Sequence, residues 1–194
     1  MNFSAKLLIA TFLFLLTACN PKQKFKNVEI TDSSSFGQDF HLKDPDGVVR
    51  TLANFRGKVV VMFFGYTDCP DFCPTTLAEI HRAMKILGPQ ADKVQVLFVT
   101  VDPARDTALI LKQYAPAFDP RFLGLRPKDD TDLAKIAKDF KIYYKKVPGT
   151  TPGSYTMDHT AGSYAFDPEG QLRLYINHAN GPDALAHDLK ALLH

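Results

Sequence analysis

The chain has 194 residues, 23 basic against 21 acidic side chains, a formal net charge of +2, and three cysteines. So near a balance leaves no electrostatic footprint for nucleic acid or an anionic lipid surface. The length suits one domain with a sizeable core once a leader segment is set aside.

Residues 1–18 read as that leader. Lys6 precedes the apolar run Leu7–Leu16, too short to span a bilayer but suited to a signal-peptide core. Leu16-Thr17-Ala18-Cys19 resembles a bacterial lipobox, in which the cysteine becomes the lipidated first residue. Lipidation at Cys19 places the chain outside the cytoplasm, on the periplasmic face of a bacterial membrane, where thiols oxidise unless reduced or metal-bound. It also accounts for the odd cysteine and leaves Cys69 and Cys73 as a pair. Residues 19–36 are polar, with a serine run, and read as a tether; residues 37–194 read as the folded domain.

Within that domain, Asp39–Leu42 and Val48–Leu52 flank Asp46-Gly47 and predict a hairpin. Lys58–Phe64 is a continuous apolar run, as in a buried strand. Leu77, Ile80, Met84 and Leu87 recur at helical spacing over Thr75–Leu87, and Gly88-Pro89 stops the helix. Val94–Val101 is a second buried strand, Asp106–Tyr114 a helix, Phe122–Leu125 a short strand, and Asp129–Phe140 a helix. Lys141–Val147 is extended. Ser163–Asp167 and Leu172–Ile176 form a hairpin around Pro168-Glu169-Gly170, and Asp183–Leu193 closes the chain as an amphipathic helix. Strands alternating with helices predict an α/β domain, a mixed sheet covered on both faces. The order is that of a thioredoxin-like fold with an N-terminal β-hairpin extension and additional connections.

Cys69 and Cys73 lie in Gly65-Tyr66-Thr67-Asp68-Cys69-Pro70-Asp71-Phe72-Cys73-Pro74, between a buried strand and a helix. Ligand sites of open α/β sheets form at such strand ends. A helix N-terminus favours thiolate over thiol, the form that binds soft metals and exchanges disulfides. Two fully helical cysteines at i and i+4 stand about 5–6 Å apart at Cβ. An unstrained disulfide needs about 3.5–4.5 Å. A metal with bonds of about 2.3 Å to each sulfur spans the wider gap. If Cys69 sits in the turn, with Pro70 at the first helical position, a disulfide is also within reach.

A third group is needed to choose. His41 and His81 fall inside elements, His187 and His194 on the last helix, and His178 in a polar loop. His159 lies in Tyr155-Thr156-Met157-Asp158-His159-Thr160, a polar loop before the strand Ser163–Asp167 that approaches the cysteine turn in this topology. An imidazole there completes a two-thiolate, one-nitrogen set suited to Cu(I) and Cu(II); the competing reading is a packed loop histidine. Met157 reads as packing and Asp158 as either a partner for the His159 ring or a loop cap. Asp68 and Asp71 read as helix caps, and Arg105 as tied to a neighbouring carboxylate. There is no glycine-rich phosphate loop, serine elbow or paired-histidine zinc motif.

The cysteine segment through Leu77 strongly resembles the signature of the Sco/SenC proteins. Val101-Asp102-Pro103-Ala104-Arg105-Asp106-Thr107 and Tyr155–Thr160 resemble that family's second and third blocks, over a match from Phe40 to the C-terminus. The resemblance implies a thioredoxin-like fold, membrane anchoring, and copper held by Cys69, Cys73 and His159. It implies a metallochaperone that serves the binuclear copper centre of cytochrome c oxidase, with that centre's subunit or another cuproprotein as partner. Some members act instead as thiol–disulfide reductants, with Cys69 attacking and Cys73 resolving; a copper or redox sensor is a third reading. One departure is Asp68, where many members carry histidine.

Overall fold

The computed structural model describes residues 24–31, 36–37 and 39–194. At its centre β4 (Val59–Gly65), buried at every position, pairs in parallel with β5 (Val94–Thr100). Apolar residues at six consecutive positions, Val59 to Phe64, suit a strand covered on both sides. β5 pairs in parallel with β6 (Phe122–Leu125). On the other side β4 meets β9 (Ser163–Phe166), which pairs with β10 (Leu172–Ile176), which pairs with the two-residue β1 (Val28–Glu29), all antiparallel. The sheet order is β1-β10-β9-β4-β5-β6.

Side-chain alternation along β4 sends neighbours to opposite faces. Phe63 packs with Phe98 and with Phe72 of α1 (Phe72–Leu87). Phe98 also meets Tyr114 of α2 (Ala108–Phe118). Phe64 faces the other way, onto Tyr164 and Phe140, at the end of α3 (Asp130–Asp139). Both faces of the sheet are therefore covered, as the alternation of elements predicts. α4 (Gly181–Leu192) buries Leu185, Leu189 and Leu192 and closes the chain. Two small sheets have ladders of their own: β2 (Leu42–Lys43) with β3 (Val49–Arg50), where Lys43 also bridges to Arg126 just past β6, and β7 (Tyr144–Pro148) with β8 (Tyr155–His159). Among the described residues no helix is long and apolar enough to cross a membrane.

Several boundaries differ from the sequence reading. The first helix begins at Phe72, so Cys73 lies in its first turn and Pro70 precedes it. α2 starts after Thr107, whose hydroxyl accepts from the Ile110 amide, and runs through Pro116 to Phe118. The ring contact of Tyr114 with Phe118 keeps that last turn packed despite the proline. Tyr155–His159 is not a loop but a strand, paired along its length with Tyr144–Pro148. The leader and Cys19 lie outside the described residues. Within the segment read as a tether, residues 26–29 are fastened to the domain. Buried Asp188 of α4 accepts from the amides of Lys26 (2.8 Å) and Asn27 (2.8 Å) and from the Asn27 side chain (2.9 Å). Asn27 in turn accepts from the Asn177 amide and the Asn180 side chain. Replacing Asp188 with alanine orphans two backbone donors. The expected cost is about 2–3 kcal/mol, seen as a lower denaturation midpoint with faster amide exchange at Val28–Ile30.

Candidate metal centre

β4 ends at Gly65, and the chain turns sharply there. A Cβ at Gly65 would stand 2.8 Å from Cys73 Sγ and 2.9 Å from the Phe98 ring, so glycine lets the cysteine sulfur sit directly against the strand end. The turn that follows is pinned from below. Buried Asp106 accepts from the Thr67 amide (3.1 Å) and the Thr67 hydroxyl (2.6 Å). Its carboxylate also accepts from the Thr100 hydroxyl at the end of β5. Burial raises the Asp106 carboxyl above its usual range, and the hydrogen bonds from Thr100 and Thr67 oppose that rise.

Cys69 sits in the turn, half-buried, with its amide donating to the Tyr66 carbonyl at 3.3 Å. Cys73 is fully buried, and its amide donates to Cys69 Sγ at 3.4 Å. Both are free thiols. Burial pushes the Cys73 thiol strongly upward, with the Cys69 sulfur and Asp106 adding to it. The sequence expectation that the helix N-terminus favours thiolate is thus overturned at Cys73: desolvation outweighs the helix end.

His159 ends β8. Its ring lies edge-on among Phe63, Tyr66 and Phe72, at centroid distances of 6.2, 5.9 and 6.3 Å. Burial lowers its pKa, so the ring is held neutral. Nδ1 lies 2.9 Å from the Thr160 carbonyl oxygen, which can only accept, so Nδ1 carries the proton. Nε2 is left with a lone pair, directed at Cys73 Sγ 3.5 Å away. A carbonyl fixing the tautomer of a histidine is how metal-ligating imidazoles are oriented. The Cys69, Cys73 and His159 donor atoms all lie within 4.8 Å of one another. Three donors at bonds of about 2.0–2.3 Å to a common centre stand about 3.5–4 Å apart, so a modest contraction brings this set around one ion.

The other named residues fall as follows. Asp158 is exposed, across the ladder from Lys145, and Thr160 rather than Asp158 holds the His159 ring. Met157 is buried and packs in the core. Asp68 is not a helix cap: it accepts from Arg105 Nη1 at 2.9 Å. Asp71 occupies the cap position of α1, but no helix amide donates to its side chain. Arg105 is tied to carboxylates as expected, on both Asp68 and Asp102. His41 and His194 are exposed, while His81 and His187 meet Asp119 and Asp188. His178 is not a surface loop residue. Its side chain is 6% exposed, against Phe63, with Nε2 2.7 Å from Ser163 Oγ and Nδ1 4.0 Å from a Glu79 oxygen. What sequence reasoning missed is the strand that carries His159. The turn-forming run Gly149-Thr150-Thr151-Pro152-Gly153 between two extended stretches was the available hairpin signal.

A thioredoxin-like domain with two thiols at a strand-to-helix turn and an imidazole brought to them by a separate hairpin defines a narrow class. The SCO1/SenC family model matches residues 28–194, and the chain belongs to that family. It is 33% identical over 168 residues to the mitochondrial SCO2 homolog of Bos taurus, covering 85% of this chain. It spans 63% of that relative's length. It resembles Bradyrhizobium japonicum ScoI with copper bound at 42% identity and a TM-score of 0.72, over 80% of this chain and 98% of that one. Apo Sco1 from Thermus thermophilus matches at 38% identity and a TM-score of 0.76, over 89% of this chain and 99% of that one.

Burial brings the His178 pKa down to about 4. An unfolded histidine takes its proton near pH 6.5, so the neutral folded form adds stability that is complete above pH 6.5 and lost as pH falls toward 4. The expected loss is up to about 3 kcal/mol over that interval. Urea midpoints measured across it should fall more steeply for the native chain than for His178→Gln, which does not titrate.

Proposed function

We propose that this chain binds copper through Cys69, Cys73 and His159 and passes it to the copper-centre subunit of cytochrome c oxidase or another cuproprotein. The chain acts from a lipid anchor at Cys19 on the periplasmic face of a bacterial membrane. The observation that carries the reading is the convergence of two sulfurs and an unprotonated imidazole nitrogen, with Nε2 3.5 Å from Cys73 Sγ. Soft thiolates suit Cu(I) and imidazole adds affinity for Cu(II), so the donor set fits this cargo in both oxidation states. Three donors, without an obvious fourth among the described residues, differ from the closed tetrahedral shell of a structural zinc site. An incomplete shell leaves a position for an incoming ligand, so cargo can pass by exchange. The copper-bound Bradyrhizobium relative supports the cargo, and the description of the Sco family as cytochrome c oxidase assembly proteins supports the recipient.

The contrast between half-exposed Cys69 and buried Cys73 favours a second reading, a thiol–disulfide reductant. In that reaction the Cys69 thiolate attacks a partner disulfide and releases one partner thiolate. Cys73 then displaces the other, leaving a Cys69–Cys73 disulfide and a reduced partner.

Anaerobic copper titration of the reduced chain separates the two. The carrier reading expects one copper per chain and sulfur-to-Cu(II) charge-transfer absorption that disappears in Cys69→Ser and Cys73→Ser. His159→Ala should weaken Cu(II) retention by about 100-fold or more, beyond the 10–100-fold typical of losing a ligand's own hydrogen-bond partner, while dithiol–disulfide exchange persists. Unchanged copper retention in His159→Ala would remove that residue from the site. Loss of copper to a modest chelator, with ready cycling of the cysteine pair, would favour the reductant.

A further inference from the structure

His159 reaches the cysteines from a hairpin that shares no strand ladder with the main sheet. Among the described residues β7 and β8 pair only with each other. The distance from Nε2 to Cys73 therefore depends on what fastens this hairpin to the rest of the domain.

Arg105 sits where that fastening is needed, in the turn after β5. Its Nη1 donates to the Asp68 carboxylate, next to Cys69, at 2.9 Å. The same nitrogen donates to the Tyr155 carbonyl, four residues before His159 on β8, at 3.0 Å. The guanidinium carbon lies 3.6 Å from the centroid of the Tyr155 ring and 5.6 Å from that of Tyr66, the residue three before Cys69. Nε donates to Asp102. The other oxygen of Asp102 accepts from the Tyr155 hydroxyl at 3.1 Å. Arg105, Asp102 and Tyr155 thus close a ring of contacts.

That ring is rooted in the core. The Asp102 amide donates to the Thr100 hydroxyl, which donates to Asp106, which holds Thr67. One connected network runs from beneath the cysteine turn to the strand of the histidine. Nη2 of Arg105 is buried and has no hydrogen-bond partner among the described residues. A buried donor left unmatched is costly, so stability alone is a poor account of why a guanidinium occupies this place.

We propose that Arg105 is a positioning residue that sets the separation of His159 from Cys69 and Cys73 by clamping β8 to the cysteine turn. The planar fork is what the task requires. It bonds two segments in one plane while its face stacks on an aromatic ring, which an ammonium does not reproduce. The consequence for copper rests on the function proposed above; the consequence for the metal-free chain does not.

The test compares Arg105→Met and Arg105→Lys with the native full-length chain, reduced and free of metal. Amide exchange of residues 155–159 should rise in both variants while β4 and β5 keep their native protection. Cu(II) retention against a chelator should then fall by about 10–100-fold, the usual effect of releasing a ligand's support. Native exchange in β8 would overturn the proposal. So would a uniform rise that includes β4, since that marks general destabilisation. Full recovery by lysine would show that charge rather than the fork matters, and would overturn it too. If β8 loosens and copper retention holds, the His159→Ala chain decides. Copper lost in His159→Ala but kept in Arg105→Met overturns the positioning role. Copper kept in both leaves the clamp standing and removes His159 from the proposed site.

Discussion

A buried carboxylate fastens the cysteine turn to the sheet. Asp106 receives two hydrogen bonds from Thr67 and one from Thr100, at the point where β4 and β5 both end. The Val101 amide, donating to the Gly65 carbonyl at 2.8 Å, extends the ladder into the same corner. Placing a carboxyl in that interior is unfavourable in itself, as its raised pKa records. The hydroxyls and the amide around it offset the cost and in doing so fix the loop. Cys69 and Cys73 take their places from that anchor.

The rest of the site is arranged around what the anchor leaves exposed. Gly65 removes the one side chain that would displace the Cys73 sulfur. Phe63, Tyr66 and Phe72 form an apolar wall that keeps the His159 ring neutral. The Thr160 carbonyl then decides which nitrogen carries the proton. Each step is local, but the order matters. Burial sets the charge state, the carbonyl sets the tautomer, and only then does Nε2 face the sulfur as an acceptor.

The elements that sequence reasoning recovered well were those with long periodic or continuous apolar runs. β4, β5, α1, α3 and α4 owe their existence to burial, and burial leaves its pattern in the chain. The cysteine pair was evident because two thiols before a helix are rare and chemically pointed. His159 was singled out by position and by family resemblance, yet its strand was not, because Tyr155–His159 is only five residues long, buries Met157 alone and exposes Thr156 and Asp158. The fastening of residues 26–29 was invisible for a different reason. It depends on Asp188, more than 160 residues away, and no local pattern announces such a bond. The protonated state of Cys73 was missed because the helix end is written in the local sequence whereas the depth of burial is not.

The hydrogen-bonded line from Cys73 Sγ to His159 Nε2 gives the proposed carrier a built-in counterweight. With the thiol protonated and the imidazole neutral, a proton occupies the line along which a metal would draw both donors. In the proposed carrier an incoming metal takes the place of that proton rather than filling a void, and the Cys69 thiol gives up its proton as well. For the proposed carrier, acidity then works against retention of the cargo, because protons compete with a metal for the same donors.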